Sequence, residues 1–397
     1  MKDLVWTGPY LLTFRCPLSV GRMKAEAINL SWLNEVLSET RQQATITDFV
    51  LTDIGEGTGF GGTVLKVGIT FDRSTPCPGT VIVKLPVTDP DTLDSFHNQG
   101  ILHREARFYR DLAPAVDLST PEVYYVDLTD DGFVIVMEDL GEMPEDEFLS
   151  SRQMTAALTE LAKLHAAYWN HPLTDEQWLS PVADGDDQSR ADNQKRLDRA
   201  IELLEASDAD LDYCLKCAHR LRKLLPKAPG QTPLPKPVTL CHGDFHGLNI
   251  FFREEEVVIF DWQLVSKGTP LMDVANLIVS SCEPEGQALL QDQLLDHYYR
   301  QLIDNGITGF SRRKLRSGFR DAMFFTFLKF LMVIGTIQFD VEGGQEKLDD
   351  LLPRLNACAI SANAKIYCAL LPIMFLIVNF VNLFRAKQDL KATDEPG

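Results

Sequence analysis

Positive charge is scarce in this chain. Its 397 residues carry 38 lysines and arginines against 57 aspartates and glutamates, a formal charge of 38 − 57 = −19. General nucleic-acid binding draws on clustered cations that displace counterions, so this balance argues against such a partner. An anionic small ligand delivered with a metal ion is not excluded, because site charge and net charge are separate matters. Cysteine is scarce too. Eight residues cannot form a disulfide scaffold in a chain this long, and only Cys214 and Cys217 form a CxxC. With no second CxxC to complete four zinc ligands, the pair reads as reduced and structural. The N-terminus lacks a long apolar core followed by a small-residue cleavage site, so a cytoplasmic setting is expected. Internal repeats and low-complexity segments are also missing. Hydrophobic residues make up 45% and charged residues 24%, which excludes a wholly disordered or coiled-coil chain.

Pattern changes divide the chain. Residues 1–44 read as a helical N-terminal extension. Residues 45–141 are strand-rich, with alternation over Ile46–Ile54, Thr63–Phe71 and Thr80–Leu85, and two further apolar segments near Glu122–Asp127 and Phe133–Met137. One helix, Phe96–Leu112, is expected among them. Residues 142–345 read as mainly helical, with two short strands, Ile250–Arg253 and Val257–Phe260. Residues 346–397 form an apolar helical tail. The expected fold class is therefore α+β, a sheet lobe followed by a helical lobe.

The chemistry concentrates in Cys241-His242-Gly243-Asp244-Phe245-His246-Gly247-Leu248-Asn249 and in Phe260-Asp261-Trp262-Gln263. Two carboxylates and an amide thus sit on loops at the ends of short strands. Hard oxygen ligands of this kind suit Mg²⁺, which takes one or two carboxylates plus substrate phosphates. A remaining carboxylate can accept a proton from a hydroxyl. Upstream, Gly55-Glu56-Gly57-Thr58-Gly59-Phe60-Gly61-Gly62 lies between two expected strands, where glycine backbone can approach phosphates closely. The run also fits the dinucleotide fingerprint GxGxxG. That motif must open a helix, however, and the segment after Gly62 alternates like a strand. A Walker loop is excluded, because no Gly-Lys-Ser/Thr follows.

HGDFHGLN followed by IFDWQ resembles the catalytic and metal loops of the aminoglycoside and choline kinase branch of protein-kinase-like phosphotransferases. The segments IGEGTGF, VIVKLP, REARFYRDLAP, EDLG, LAKLHAAYW and LCHGDFHGLNIFF are similar, within that branch, to the CHK kinase-like or ecdysteroid kinase-like family. The likeness runs from Trp32 to about Phe339. It implies a two-lobed protein-kinase-like fold and ATP- and Mg²⁺-dependent phosphorylation of a hydroxyl on a small molecule. By the same likeness Asp244 is the catalytic base, and Asn249 and Asp261 hold the metal. Gly57, Thr58, Gly59 and Phe60 cover the nucleotide, Lys84 grips its phosphates and Glu105 positions Lys84. Met137, Glu138 and Leu140 supply the hinge that binds adenine. His242 braces the catalytic loop. Asp273 either braces that loop or caps its own helix.

Two other functions stay in view. One is a nucleotide-binding pseudokinase. The other is a metal-dependent hydrolase built on His242, Asp244, His246 and Asp261. His246 itself reads as a loop-bracing or substrate-side residue. Met323–Phe339 reads as a core helix with Lys329 inside it. Ile366–Phe384 is uncharged over 19 residues and is followed by Arg385 and Lys387. It is a candidate both for membrane association and for packing on the helical lobe. The sequence carries no signal for the acceptor or the oligomeric state.

Overall fold

The computed structural model describes residues 24–54, 62–130, 132–143, 147–172, 176–180, 187–228, 236–254, 256–336 and 344–376. The chain forms two compact units. One comprises residues 1–90 with 124–137, and the other comprises 91–123 with 138–397.

The first unit begins with helices α1 (Leu30–Val36) and α2 (Ser38–Arg41). Asn29 caps α1, its side chain accepting the Trp32 N–H. Asn34 then ties α1 to the sheet. Its amide donates to the Ile46 carbonyl and accepts the Ile46 N–H, at 3.0 and 2.9 Å. Strands β1 (Ile46–Asp53), β2 (Thr63–Phe71), β3 (Thr80–Leu85), β4 (Val123–Thr129) and β5 (Gly132–Glu138) form an antiparallel sheet in the order β1-β2-β3-β5-β4. β2 and β3 keep the expected limits. β3 alternates, so Val81, Val83 and Leu85 join a core with Leu33, Leu37 and Val67. Full burial of such a side chain is worth about 1.5–3 kcal/mol. Lys84 falls on the opposite face of β3, paired across the ladder with Val64. A Cβ at Gly62 would stand 2.3 Å from the Leu85 carbonyl oxygen, so the strand entry there admits only glycine.

The second unit contains α3 (Pro90–Asn98) and α4 (Arg104–Arg107), the latter running into a π-helical turn over Phe108–Leu112. The single helix expected over Phe96–Leu112 is thus broken. Gly100 turns the chain at φ +65°, and its N–H bonds back to the His97 carbonyl. Arg104, 3% exposed, explains where the segment then goes. Its guanidinium donates to the carbonyls of Gly100, Val265 and Ser180, at 2.8, 3.1 and 2.6 Å. Burial lowers its pKa to about 10. Phe108 stacks on Trp262 at 3.8 Å between ring centroids. These contacts group residues 91–123 with the helical unit.

α5 (Ser151–Ala167) opens on a capping box formed by Ser150 and Gln153. α6 (Asp187–Ala206) and α7 (Asp212–Leu224) follow. Cys214 and Cys217 are buried free thiols on α7. Four short strands carry the central loops: β6 (Thr239–Cys241), β7 (Ile250–Arg253), β8 (Glu256–Ile259) and β9 (Ser266–Gly268). β7 and β8 pair antiparallel, as do β6 and β9, with Cys241 opposite Ser266. The helices α8 (Leu271–Ser281), α9 (Pro284–Asp304), α10 (Arg312–Thr336), α11 (Gly344–Ser361) and α12 (Ala364–Leu376) complete the unit. Among the described residues no single helix is long and apolar enough to cross a membrane. α11 and α12 meet that test only as a pair bent by 62°. Of the uncharged run 366–384, residues 377–384 lie outside the described residues.

Candidate active site

The β6–β9 and β7–β8 pairs deliver two loops to one place. His242 locks them together. It is fully buried, and its Nε2–H donates to the Phe260 carbonyl at 2.9 Å while its Nδ1 accepts the Asp244 N–H at 3.3 Å. Both ring nitrogens are therefore spent on backbone. Burial lowers the imidazole pKa more than the nearby carboxylates, Asp273 foremost, raise it. The ring is thus a neutral brace with no lone pair for a metal. Phe260 also donates its N–H to the Asn249 carbonyl at 3.2 Å. Asn249 in turn donates its side-chain amide to the Asp244 carbonyl at 2.9 Å. Asp244, Asn249 and Asp261 are thereby fixed around one imidazole.

Asp261 stands two residues beyond β8 in the left-handed region, at φ 63° and ψ 62°. A non-glycine residue holds that conformation only when its surroundings impose it. Here Trp262, fully buried between Phe108 and His242, supplies the constraint. Burial raises the pKa of the Tyr109 hydroxyl, and the negative charges of Glu105 and Asp261 raise it further. Glu105 is itself buried and belongs to the same unit as Asp261.

Asp273 settles the alternative left open by the sequence. Its carboxylate accepts the N–H groups of His242 and Gly243 at 2.7 and 2.9 Å, and lies 3.3 Å from His165 Nε2. His165 Nδ1 meets the Tyr298 hydroxyl at 2.7 Å. Asp273 therefore braces the loop. Burial would raise its pKa, but His165, His242 and the loop N–H groups outweigh that and hold it below the usual carboxylate range. Gly243, at φ +88°, allows the turn, since a Cβ there would stand 2.2 Å from the Leu264 carbonyl oxygen.

Asp244 sits in a charged chain that the sequence did not reveal. Its Oδ1 accepts from Lys329 Nζ at 2.7 Å, and its Oδ2 lies 3.4 Å from His246 Nε2. Lys329 also donates to Asn276 Oδ1 at 3.1 Å. His246 Nδ1 stands 2.9 Å from Glu147 Oε1, an ion-pair contact off the N–H axis. Glu147 Oε2 accepts from Arg354 at 2.7 Å, and Arg354 reaches Asp350 at 2.7 Å. Burial opposes ionisation of Asp244, but Lys329 and His246 outweigh it and hold the pKa far below the usual range. Burial likewise opposes charge on His246, yet Asp244 and Glu147 raise it to about 9. Lys329 had one signal in the sequence, as a lone charge in an apolar helix. Glu147 and Arg354 had none, because acidic runs and single arginines usually read as solvated surface.

Gly57, Thr58, Gly59 and Phe60 fall outside the described residues. Lys84 and Met137 belong to the sheet unit. Glu138 spends its carboxylate on Arg253, at 2.5 Å, and on the Glu122 N–H, at 3.2 Å. Leu140 follows it in the helical unit. Among the described residues, His165, Cys241 and Asp273 are close enough to share a metal ion, but all three are buried, and His165 and Asp273 already hold the hydrogen bonds just described.

Residues 56–307 match the ecdysteroid kinase-like family, a span covering more than half of the chain. The chain belongs to that family. Several solved structures resemble this family member at low identity. The choline/ethanolamine kinase family protein from Mesorhizobium loti is 18% identical, with 86% of this chain and 99% of that one covered, at a TM-score of 0.45. Macrolide 2'-phosphotransferase MphH from Brachybacterium faecium is 16% identical, with 81% and 98% covered, at 0.41. A thermostable mutant of aminoglycoside phosphotransferase APH(4)-Ia, in ternary complex with ADP and hygromycin B, is 15% identical, with 84% and 98% covered, at 0.44. A search of curated proteins found no match.

Proposed function

We propose that this ecdysteroid kinase-like protein transfers the γ-phosphoryl group of ATP, together with Mg²⁺, to a hydroxyl group of a small-molecule acceptor. The observation that carries the reading is the locking of Asp244, Asn249 and Asp261 around His242. A carboxylate aimed by its own backbone, beside an amide and a second carboxylate, is the donor set such a transfer needs. The Asn249 amide nitrogen donates to the Asp244 carbonyl and lies 3.1 Å from His246 Nε2, while its Oδ1 takes no hydrogen bond among the described residues, so an oxygen donor is left for a cation. In this reading Asn249 and Asp261 hold Mg²⁺, which screens the negative charge of the phosphates. Lys84 and the glycine segment are assigned to phosphate binding by the family likeness.

Asp244 is a weak base in the ground state, because Lys329 and His246 stabilise its charge. Its first task is therefore to orient the acceptor hydroxyl as a hydrogen-bond acceptor. It takes the proton late, once bonding to phosphorus has made the hydroxyl acidic. Catalysis rests on positioning and fixed charge. The hydrolase alternative lacks a ligand, since His242 has both nitrogens occupied.

The test is a hydroxylated-metabolite library screened for Mg²⁺-ATP-dependent phosphate incorporation, combined with nucleotide titration. Asp244→Ala should abolish transfer and keep nucleotide affinity within about threefold. Asp261→Ala should lose the Mg²⁺-dependent part of that affinity. Wild-type turnover by either variant refutes its assigned role. Nucleotide binding without turnover across the library would point to a scaffold.

A further inference from the structure

Thiols take no part in the proposed phosphate transfer, yet four of them lie buried on three packed helices: Cys214 and Cys217 on α7, Cys358 on α11 and Cys368 on α12. Two contacts set α12 against α7. Lys365 lies over the Tyr213 ring at 4.1 Å, and its backbone N–H meets the Tyr213 hydroxyl at 3.4 Å. One turn further along each helix, Cys217 faces Cys368. The Cys368 sulfur stands 3.9 Å from the Cys217 carbonyl oxygen, and the two thiols hydrogen-bond to each other. Each residue is 1% exposed. The shelter is one residue thick, because Lys216 and Arg220 on α7 and Ile366 and Ala369 on α12 are exposed.

Chemistry separates this pair from the other thiols. The hydrogen bond from Cys368 holds the Cys217 thiol below its ordinary pKa; burial opposes this, and the charges of Lys365 and Arg220 assist it. Burial pushes the Cys214 thiol up to about 12 and raises those of Cys241, Cys282 and Cys358 as well. The thiolate is the nucleophile, so Cys217 is the reactive member. Cys214 is engaged elsewhere, its sulfur donating to Asn356 Oδ1 at 3.4 Å.

We propose that Cys217 and Cys368 form a site of reversible oxidation, at which a hydroperoxide converts the facing thiols to a disulfide that fastens α12 to α7. The Cys217 sulfur attacks the outer oxygen of the hydroperoxide, the O–O bond breaks, and an alcohol leaves (water, from hydrogen peroxide). Cys217 is then a sulfenic acid. The Cys368 sulfur attacks it, the S–S bond forms, and the sulfenic hydroxyl departs as water with the Cys368 proton. The two thiols give up two protons and two electrons, and the hydroperoxide takes up both. A bond between residues so far apart in sequence restricts the unfolded chain strongly.

The test uses the reduced full-length protein. Trypsin cuts after Lys216, Arg220, Arg354 and Lys365, so each of the four cysteines falls on its own peptide. Treatment with hydrogen peroxide, blocking of the remaining thiols with iodoacetamide and mass spectrometry should recover most of peptide 217–220 joined to peptide 366–385. Dithiothreitol should release it. The thermal midpoint of the oxidised protein should rise by about 3 °C or more. Cys368→Ser should lose the cross-link and the rise, whereas Cys214→Ser should keep both. Separately alkylated peptides after oxidation overturn the proposal, as does Cys217 joined to Cys214. An unchanged midpoint overturns the fastening of α12. The peptide map is decided on the wild-type chain, so it holds even where a variant fails to fold. None of these readouts uses phosphate transfer, so they stand or fall apart from the kinase assignment.

Discussion

At the scale of single residues, the site is organised by partners that neutralise Asp244. An isolated half-buried carboxylate would resist ionisation, and Lys329 and His246 remove that resistance. Lys329 is the partner that can be removed without touching the catalytic loop. Lys329→Met should move the acid limb of the pH profile of Mg²⁺-ATP consumption upward by about 1–2 units, with nucleotide affinity unchanged. A profile that stays in place would mean that the ion pair does not set the charge state of Asp244. Sequence reasoning found Asp244, Asn249 and Asp261 because a motif names them. It missed Glu147 and Arg354 because their role depends on the segment before α5 being laid against the catalytic loop, and no local pattern records that approach.

At the scale of elements, close backbone contacts decide where the loops go. A Cβ on Gly247 would stand 2.1 Å from the Glu147 carbonyl oxygen, and the Gly247 N–H donates to Ser281 Oγ at 2.7 Å. Neither neighbour can yield like a flexible side-chain tip. Gly247→Ala should therefore cost about 1–3 kcal/mol, read as a lower denaturant midpoint with an unchanged slope. Gly79→Ala, with nothing within 4 Å of its added Cβ, is the neutral control. Strands were the more legible elements. Two-residue alternation marked β2 and β3 to their exact ends. The helix expected over Phe96–Leu112 failed because its periodicity is real on both sides of Gly100, while the break is imposed by Arg104 reaching carbonyls that are 76 and 161 residues away in sequence.

At the scale of the whole molecule, the half-buried charge network links stability to pH. The folded pKa of His246 is raised, so its contribution is complete below its ordinary value near 6.5 and is lost as pH rises through about 9. Asp244 behaves in the opposite sense, contributing above its ordinary value and losing that contribution in acid as pH falls towards its depressed folded pKa. In metal-free buffer the thermal midpoint should fall between pH 6.5 and 9. His246→Asn should flatten that slope, and an equally steep slope in the variant would show that the loss originates elsewhere. Differential scanning calorimetry across that range provides the check.

The sequence by itself determined the α+β class, the family, the two loops that hold the proposed site and the strands that deliver them. All of these are written in local periodicity and fixed spacing, which survive without knowledge of what packs where. Only the tertiary structure decided that Asp273 braces the loop, that residues 91–123 group with the helical unit, that Lys329 meets Asp244, and that the first turn of α12 packs on α10 through Tyr367 and Phe324. Each of these depends on groups distant in sequence meeting in space, and a charge or an apolar run looks the same in sequence whether its partner is water, lipid or a buried side chain.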